Sequence, residues 1–241
     1  MNIKKYIIKN KKFFNTIKIN FNYSNDFKII DRIIAQTNIL CEKLNPVLAR
    51  DVSRNRNINI IFSNIFAGLI SEYIWKYFLT KIAVKKEKHI QVVSGGSVED
   101  FNQIDIILKN QQNKELHLEV RSSFPYLGID QAIIKNFDII GWYTNKIKTK
   151  EIKKDFYLRA LFPYKIDNFK NKIKDQFEVC IAGGASLELL TNSPFAKYKE
   201  FNPREEFFLK NKKELTKYRV IEPIINGYDT YELAEHIFMN L

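Results

Sequence analysis

Residues 103–121 read QIDIILKNQQNKELHLEVR, and this stretch decides the fold. Gln103 to Leu108 is a short apolar run of strand type, Lys109 to Lys114 is a polar turn, and Glu115 to Arg121 alternates strictly. Successive side chains on a strand point to opposite faces. Leu116, Leu118 and Val120 therefore share one face, and His117, Glu119 and Arg121 share the other. The two runs and their turn predict an antiparallel hairpin whose carboxylates, Asp105 and Glu119, meet at one end or edge of a sheet.

Upstream, residues 59–82 read as a helix. Ile61, Ile65, Leu69, Tyr73 and Tyr77 form one face, with Phe62, Phe66, Ile70, Ile74 and Phe78 beside it. A helix apolar almost all round is expected to be buried, yet Glu72 sits in its middle. His89 to Val93 is strand-like and runs into a Gly95-Gly96 turn. Downstream, the pattern predicts a helix around 129–141 and a strand from Phe156 to Phe162 stopped by Pro163. A further strand, Phe177 to Ile181, ends at Gly183-Gly184. Residues 1–23 fit a strand pair or an arm, residues 25–50 a helix, and residues 186–241 mostly helix with a last one from Thr230. The central order of helix, three strands, helix and strand predicts an α/β fold with a mixed central β-sheet flanked by helices. We expect a single domain over 1–241. Its core spans about 59–182, an N-terminal arm and helix occupy 1–58, and a helical region occupies 183–241.

Composition bounds the function. The 241 residues include 39 Lys+Arg against 27 Asp+Glu, a net charge of +12, and 45% are hydrophobic. That apolar content excludes a disordered chain. Two cysteines exclude a disulfide framework or a four-cysteine zinc site, and three histidines argue against a histidine-based one. The positive charge points to a polyanion. Most of it is Lys, and a chain rich in Lys, Ile and Asn carries the imprint of an AT-rich genome. Placed arginines are therefore the better guide. Arg50, Arg54 and Arg56 gather three of the eight arginines among Asp, Ser and Asn. Arg reads guanine and Asn reads adenine by paired hydrogen bonds, which makes this cluster the leading candidate for DNA contact. The basic start at Met1–Lys12 has no signal-peptide apolar run behind it, and Ile58–Ile70 is too short to span a membrane. A cytoplasmic protein is expected.

The chemistry centres on the hairpin. Asp105 lies between Ile104 and Ile106, and Glu119 between Leu118 and Val120. Carboxylates in apolar surroundings are costly unless paired or bound to metal. Two convergent carboxylates with the Val120 main-chain carbonyl between them make a hard-oxygen site suited to Mg²⁺. Arg121 shares a face with Glu119 and offers charge to a phosphate. Glu72 is a fourth candidate from the buried helix. Ser122, Ser123 and Gln131 are candidates for DNA contact, against ordinary turn and helix-surface roles. Glu99 and Asp100 are rival ligands if the strand register is shifted.

Glu72, then Gln103-Ile104-Asp105, then Glu119-Val120-Arg121 resembles the PD-(D/E)xK, or restriction-endonuclease-like, nuclease superfamily. The runs Glu119–Pro125, Phe137–Gly141 and Lys154–Arg159 are similar to type II restriction endonucleases, and the resemblance covers roughly 60–162. It implies a restriction-endonuclease-like core and Mg²⁺-dependent hydrolysis of double-stranded DNA. Asp105 and Glu119 would hold the ion, with Mn²⁺ as a substitute, and cleavage would leave a 5′-phosphate. A homodimer would supply two sites for two strands, and a cognate methyltransferase would be a functional companion. The chain departs from the family at Ile104, where Pro is usual, and at Arg121, where Lys is usual. Arginine stays protonated and accepts no proton, so Arg121 would act by charge alone, or a Lys such as Lys135 would take the role. The competing expectations are a non-catalytic nucleic-acid-binding protein on the same fold, and a repair, junction or transposition nuclease.

Overall fold

A computed structural model of the chain describes residues 2–7, 13–43, 57–94, 104–144, 152–201 and 216–241. The chain opens with β1 (Asn2–Ile7), β2 (Phe13–Asn22) and α1 (Tyr23–Lys43). Next come α2 (Ile58–Lys85), β3 (Ile90–Ser94), β4 (Ile106–Asn110) and β5 (Glu115–Ser123). A short helix α3 (Ile129–Gln131) runs on as a π-helical turn over Ala132–Asn136, followed by β6 (Ile139–Thr144) and β7 (Phe156–Leu161). The remainder is α4 (Ile166–Lys172), β8 (Gln176–Ser186), α5 (Leu187–Asn192), β9 (Ala196–Phe201), β10 (Thr216–Ile221) and α6 (Thr230–Asn240).

The expected hairpin forms. β4 and β5 pair antiparallel with Ile106 opposite Leu118 and Leu108 opposite Leu116. β3 adds antiparallel to β4, and β7 lies parallel to β5, with Leu118 opposite Phe156 and Arg121 opposite Arg159. These strands belong to a seven-stranded mixed sheet ordered β1-β2-β8-β7-β5-β4-β3. The fold is the expected α/β one, a mixed sheet flanked by helices.

Strand alternation divides the core into two. Leu118 and Val120 of β5 and Phe156, Leu158 and Ala160 of β7 face the helices, against Phe66, Ile70 and Trp75 of α2. Each fully buried Leu, Ile or Phe among them contributes about 1.5–3 kcal/mol through removal from water. Tyr157 and Leu161 of β7 and Cys180 and Ala182 of β8 face the other way, onto Ile133, Ile139, Trp142 and Ile221. β7 is central, and all six of its residues are buried. The N-terminus of α2 is capped by Asn57, whose side chain accepts from the Asn59 N–H. Asp229 caps α6, and Glu232 closes the capping box by accepting from the Asp229 N–H.

Four departures from the sequence reading have physical causes. The helix expected over 129–141 ends at Asn136, and Ile139 begins β6. β6 pairs with β10, and β10 with β9, in a second, three-stranded sheet. Two strands thus interrupt the C-terminal region read as mostly helical, although its last helix does begin at Thr230. Gly183-Gly184 is not a turn, because β8 runs through it to Ser186. A Cβ at Gly183 would stand 2.0 Å from the Tyr228 carbonyl oxygen, and one at Gly184 2.1 Å from that of Tyr157. Close backbone approach therefore requires both glycines. Finally, α2 agrees with the helix read over 59–82, but the apolar stretch expected to stop at Ile70 continues past it, so that α2 is long and apolar enough to cross a membrane by length and composition alone. Twelve of its residues are buried in this fold, as in a core helix.

Candidate active site

β4 starts at Ile106, so Asp105 stands in a bend just ahead of it, one step beyond the Ile106–Leu118 pair and hence across from Glu119. Asp105 Oδ2 accepts a 2.7 Å hydrogen bond from the Val120 N–H. That bond ties the bend to the middle of β5. Strand alternation sends Val120 into the helix-side core and turns Glu119 and Arg121 to the opposite face. Arg121 Nη2 lies 3.4 Å from Glu119 Oε1.

Glu72 reaches the same neighbourhood from α2. Its Oε2 is 3.6 Å from Lys76 Nζ, one turn along the helix. Burial pushes the Glu72 carboxyl up to about 7, Lys76 pulls it down, and the Glu119 charge adds to the rise. Asp105 is held well above the ordinary carboxylate range, first by burial and then by Glu119 and Glu72. The Val120 N–H and Arg121 pull it back. The fold thus brings Glu72, Asp105, Glu119 and Arg121 within electrostatic reach at one place, from two elements and one bend.

Raised acids in mutual repulsion are what a divalent cation relieves, because it favours their charged forms. The donors are all oxygens, which fits Mg²⁺. No group of three or more His, Cys, Asp or Glu gathers as a ligand set among the described residues. The ion would therefore rest on Asp105 and Glu119, with main-chain oxygen such as that of Val120 and water completing the shell, as Mg²⁺ commonly does.

The remaining candidates separate. Ser123 Oγ accepts from Arg159 Nη2 at 2.7 Å, so the hydroxyl is tied to a neighbouring strand. Ser122 is half-buried near the end of β5, and Gln131 is exposed on α3. Lys135 is exposed on the π-helical turn. His117 turns to Glu115, 3.6 Å away. Arg50, Arg54 and Arg56, like Glu99 and Asp100, lie outside the described residues. Both N–H groups of the glycine pair are engaged within the fold: Gly183 donates to Thr230 Oγ1 and Gly184 to the Tyr228 carbonyl.

One residue escaped the sequence reading. Arg159, almost wholly buried on β7, is the register neighbour of Arg121. Its signal was present: a single cation in the otherwise apolar run Phe156-Tyr-Leu-Arg-Ala-Leu161.

An uncharacterized protein of Methanocaldococcus jannaschii is 29% identical over 261 aligned positions, which cover 95% of this chain and 87% of that protein. No protein-family model matches, and no solved structure matches.

Proposed function

We propose that the chain is a Mg²⁺-dependent endonuclease of the restriction type, acting on double-stranded DNA as a homodimer in the cytoplasm. A cognate methyltransferase would protect the host DNA. The observation that carries this reading is the Asp105–Glu119 pair, converging across a β-hairpin beside Arg121. The order of the surrounding elements agrees with the resemblance: a long helix, a three-stranded antiparallel meander, and a fourth strand parallel to the third. The net charge of +12 suits a polyanionic substrate.

Mg²⁺, when bound, would supply Lewis acidity and lower the pKa of water beside it. Asp105 and Glu119 would hold it, and Glu72 would add negative charge at the same place. Arg121 would neutralise the charge that grows on the phosphate as the water attacks in line. Because Arg121 keeps its proton, the proton of the water would pass to solvent or to a substrate phosphate oxygen.

Asp105→Ala and Glu119→Ala are each expected to lower Mg²⁺-dependent plasmid cleavage by at least about a hundredfold while DNA binding persists. Undiminished cleavage by both variants would sink the assignment. Arg121 in the usual Lys position favours a second reading, a nucleic-acid-binding protein without catalysis. A wild-type chain that binds DNA but leaves it intact in both Mg²⁺ and Mn²⁺ would select it. A discrete band pattern on long DNA would separate a restriction enzyme from a repair or junction nuclease.

A further inference from the structure

Arg159 is 1% exposed and stands beside Arg121 in the parallel β5–β7 register. Odd-numbered positions of both strands share a face, so two guanidinium groups are neighbours on one sheet surface. Like charges so placed repel. Arg159 Nη1 donates to the Arg121 carbonyl at 3.2 Å, and Nη2 donates to Ser123 Oγ at 2.7 Å. Its Nε meets no acceptor among the described residues. The acid that bears on it through charge is Asp138, whose Oδ2 is 2.8 Å from Lys199 Nζ. Burial, then the Arg121 charge, lowers Arg159 to about 10, which leaves it a cation at neutral pH.

Among the described residues no carboxylate makes an ion pair with Arg159, and a buried cation so placed is a poor way to stabilise a fold. Apolar residues of similar volume often do as well or better. What Arg159 does provide is control of the β5 end. It fixes the main chain at Arg121 and the hydroxyl at Ser123. Its charge opposes any retreat of the Arg121 guanidinium into the sheet. Arg121, about one-fifth exposed, then keeps its Nη2 3.4 Å from Glu119 Oε1.

We propose that Arg159 is a positioning residue that holds Arg121 outward to receive a phosphate group at the Asp105–Glu119 site. The proposal rests on the phosphodiester reading above, with inorganic phosphate as its probe. The test is phosphate titration of the full chain by calorimetry, with Mg²⁺ present, alongside thermal melts. Wild type binds phosphate, and Arg121→Ala abolishes binding. Arg159→Met weakens it about tenfold, about 1.4 kcal/mol by the standard conversion, without lowering the melting temperature. Arg159→Lys restores most of it. Arg159→Met added to Arg121→Ala changes nothing further, since the effect passes through Arg121. Ser123→Ala, a mild change that cannot be mistaken for misfolding, weakens phosphate binding about threefold by loosening the Arg159 fork. The proposal is overturned if wild type binds no phosphate, if Arg159→Met and Ser123→Ala both bind like wild type, or if Arg159→Met weakens binding equally in the Arg121→Ala background. Cleavage is not read in this experiment. A chain that never cuts DNA but shows this pattern keeps the phosphate site and loses only the nuclease reading, and the reverse result does the opposite.

Discussion

Glu72 makes the fold sensitive to pH, and the sign follows from its direction of shift. The carboxyl titrates at 4.5 in the ordinary case and at about 7 in the native chain. Between those values the native state holds a proton that the unfolded state has released. Stability therefore falls as pH rises through that window, and the whole loss is present above it. Glu72→Gln removes the titration. In urea unfolding at pH 5 and pH 8, the variant should gain about 2 kcal/mol on wild type between the two; a constant difference would show that Glu72 does not titrate in this range. This was half legible in the sequence. A Glu amid Ile70, Tyr73 and Ile74 announces its burial, but its approach to Asp105 and Glu119 depends on how α2 crosses the sheet. Asp105, Glu119 and Arg121 were readable because strand alternation and a short turn fix their relation locally. Arg159 was not, because the meaning of one Arg in an apolar strand depends on its parallel neighbour, which periodicity does not reveal.

At the scale of elements, local pattern and long-range pairing part company. α2 and the β4–β5 hairpin form from contacts near in sequence, and both were legible. β6 fell within the helix read over 129–141, whereas its partner β10 enters only at Thr216. β9 and β10 were missed for the same reason. β8 shows the misreading of a glycine pair most sharply. Gly183 has φ +67°, and a Cβ there would stand 2.0 Å from the Tyr228 carbonyl oxygen. Gly183→Ala should cost about 3 kcal/mol or more, seen as a lowered urea midpoint. Gly68 provides the contrast, since it lies inside α2 and a Cβ there meets nothing within 4 Å. Gly68→Ala should stabilise by about 0.5–1 kcal/mol. If the two substitutions shift the midpoint alike, the crowding at Gly183 is not what holds β8 against the Tyr228–Asp229 segment.

Across the whole molecule, the question is whether the +12 charge is a general cloud or a placed surface. The acids at the candidate site lie within a strongly basic chain, so on the proposed reading a nucleic acid attracted by the field would still be seated by particular residues. A protein that neutralises phosphates releases counterions, and its affinity falls with salt at a slope of about 0.9 per phosphate contacted. Arg50, Arg54 and Arg56 concentrate the scarce arginines in one short segment, whereas Lys81, Lys85 and Lys88 are exposed lysines at the end of α2 and just beyond it. Replacing either triple with Gln removes the same charge. If the arginines contact DNA, their triple variant should flatten the log–log salt dependence of duplex binding by about 2–3 units. If the lysines act only through the general field, their variant should shift affinity modestly at low salt and leave the slope nearly intact. Equal slopes for the two variants, read by fluorescence anisotropy over a salt series, would return the weight to the general charge and remove Arg50, Arg54 and Arg56 from the proposed interface.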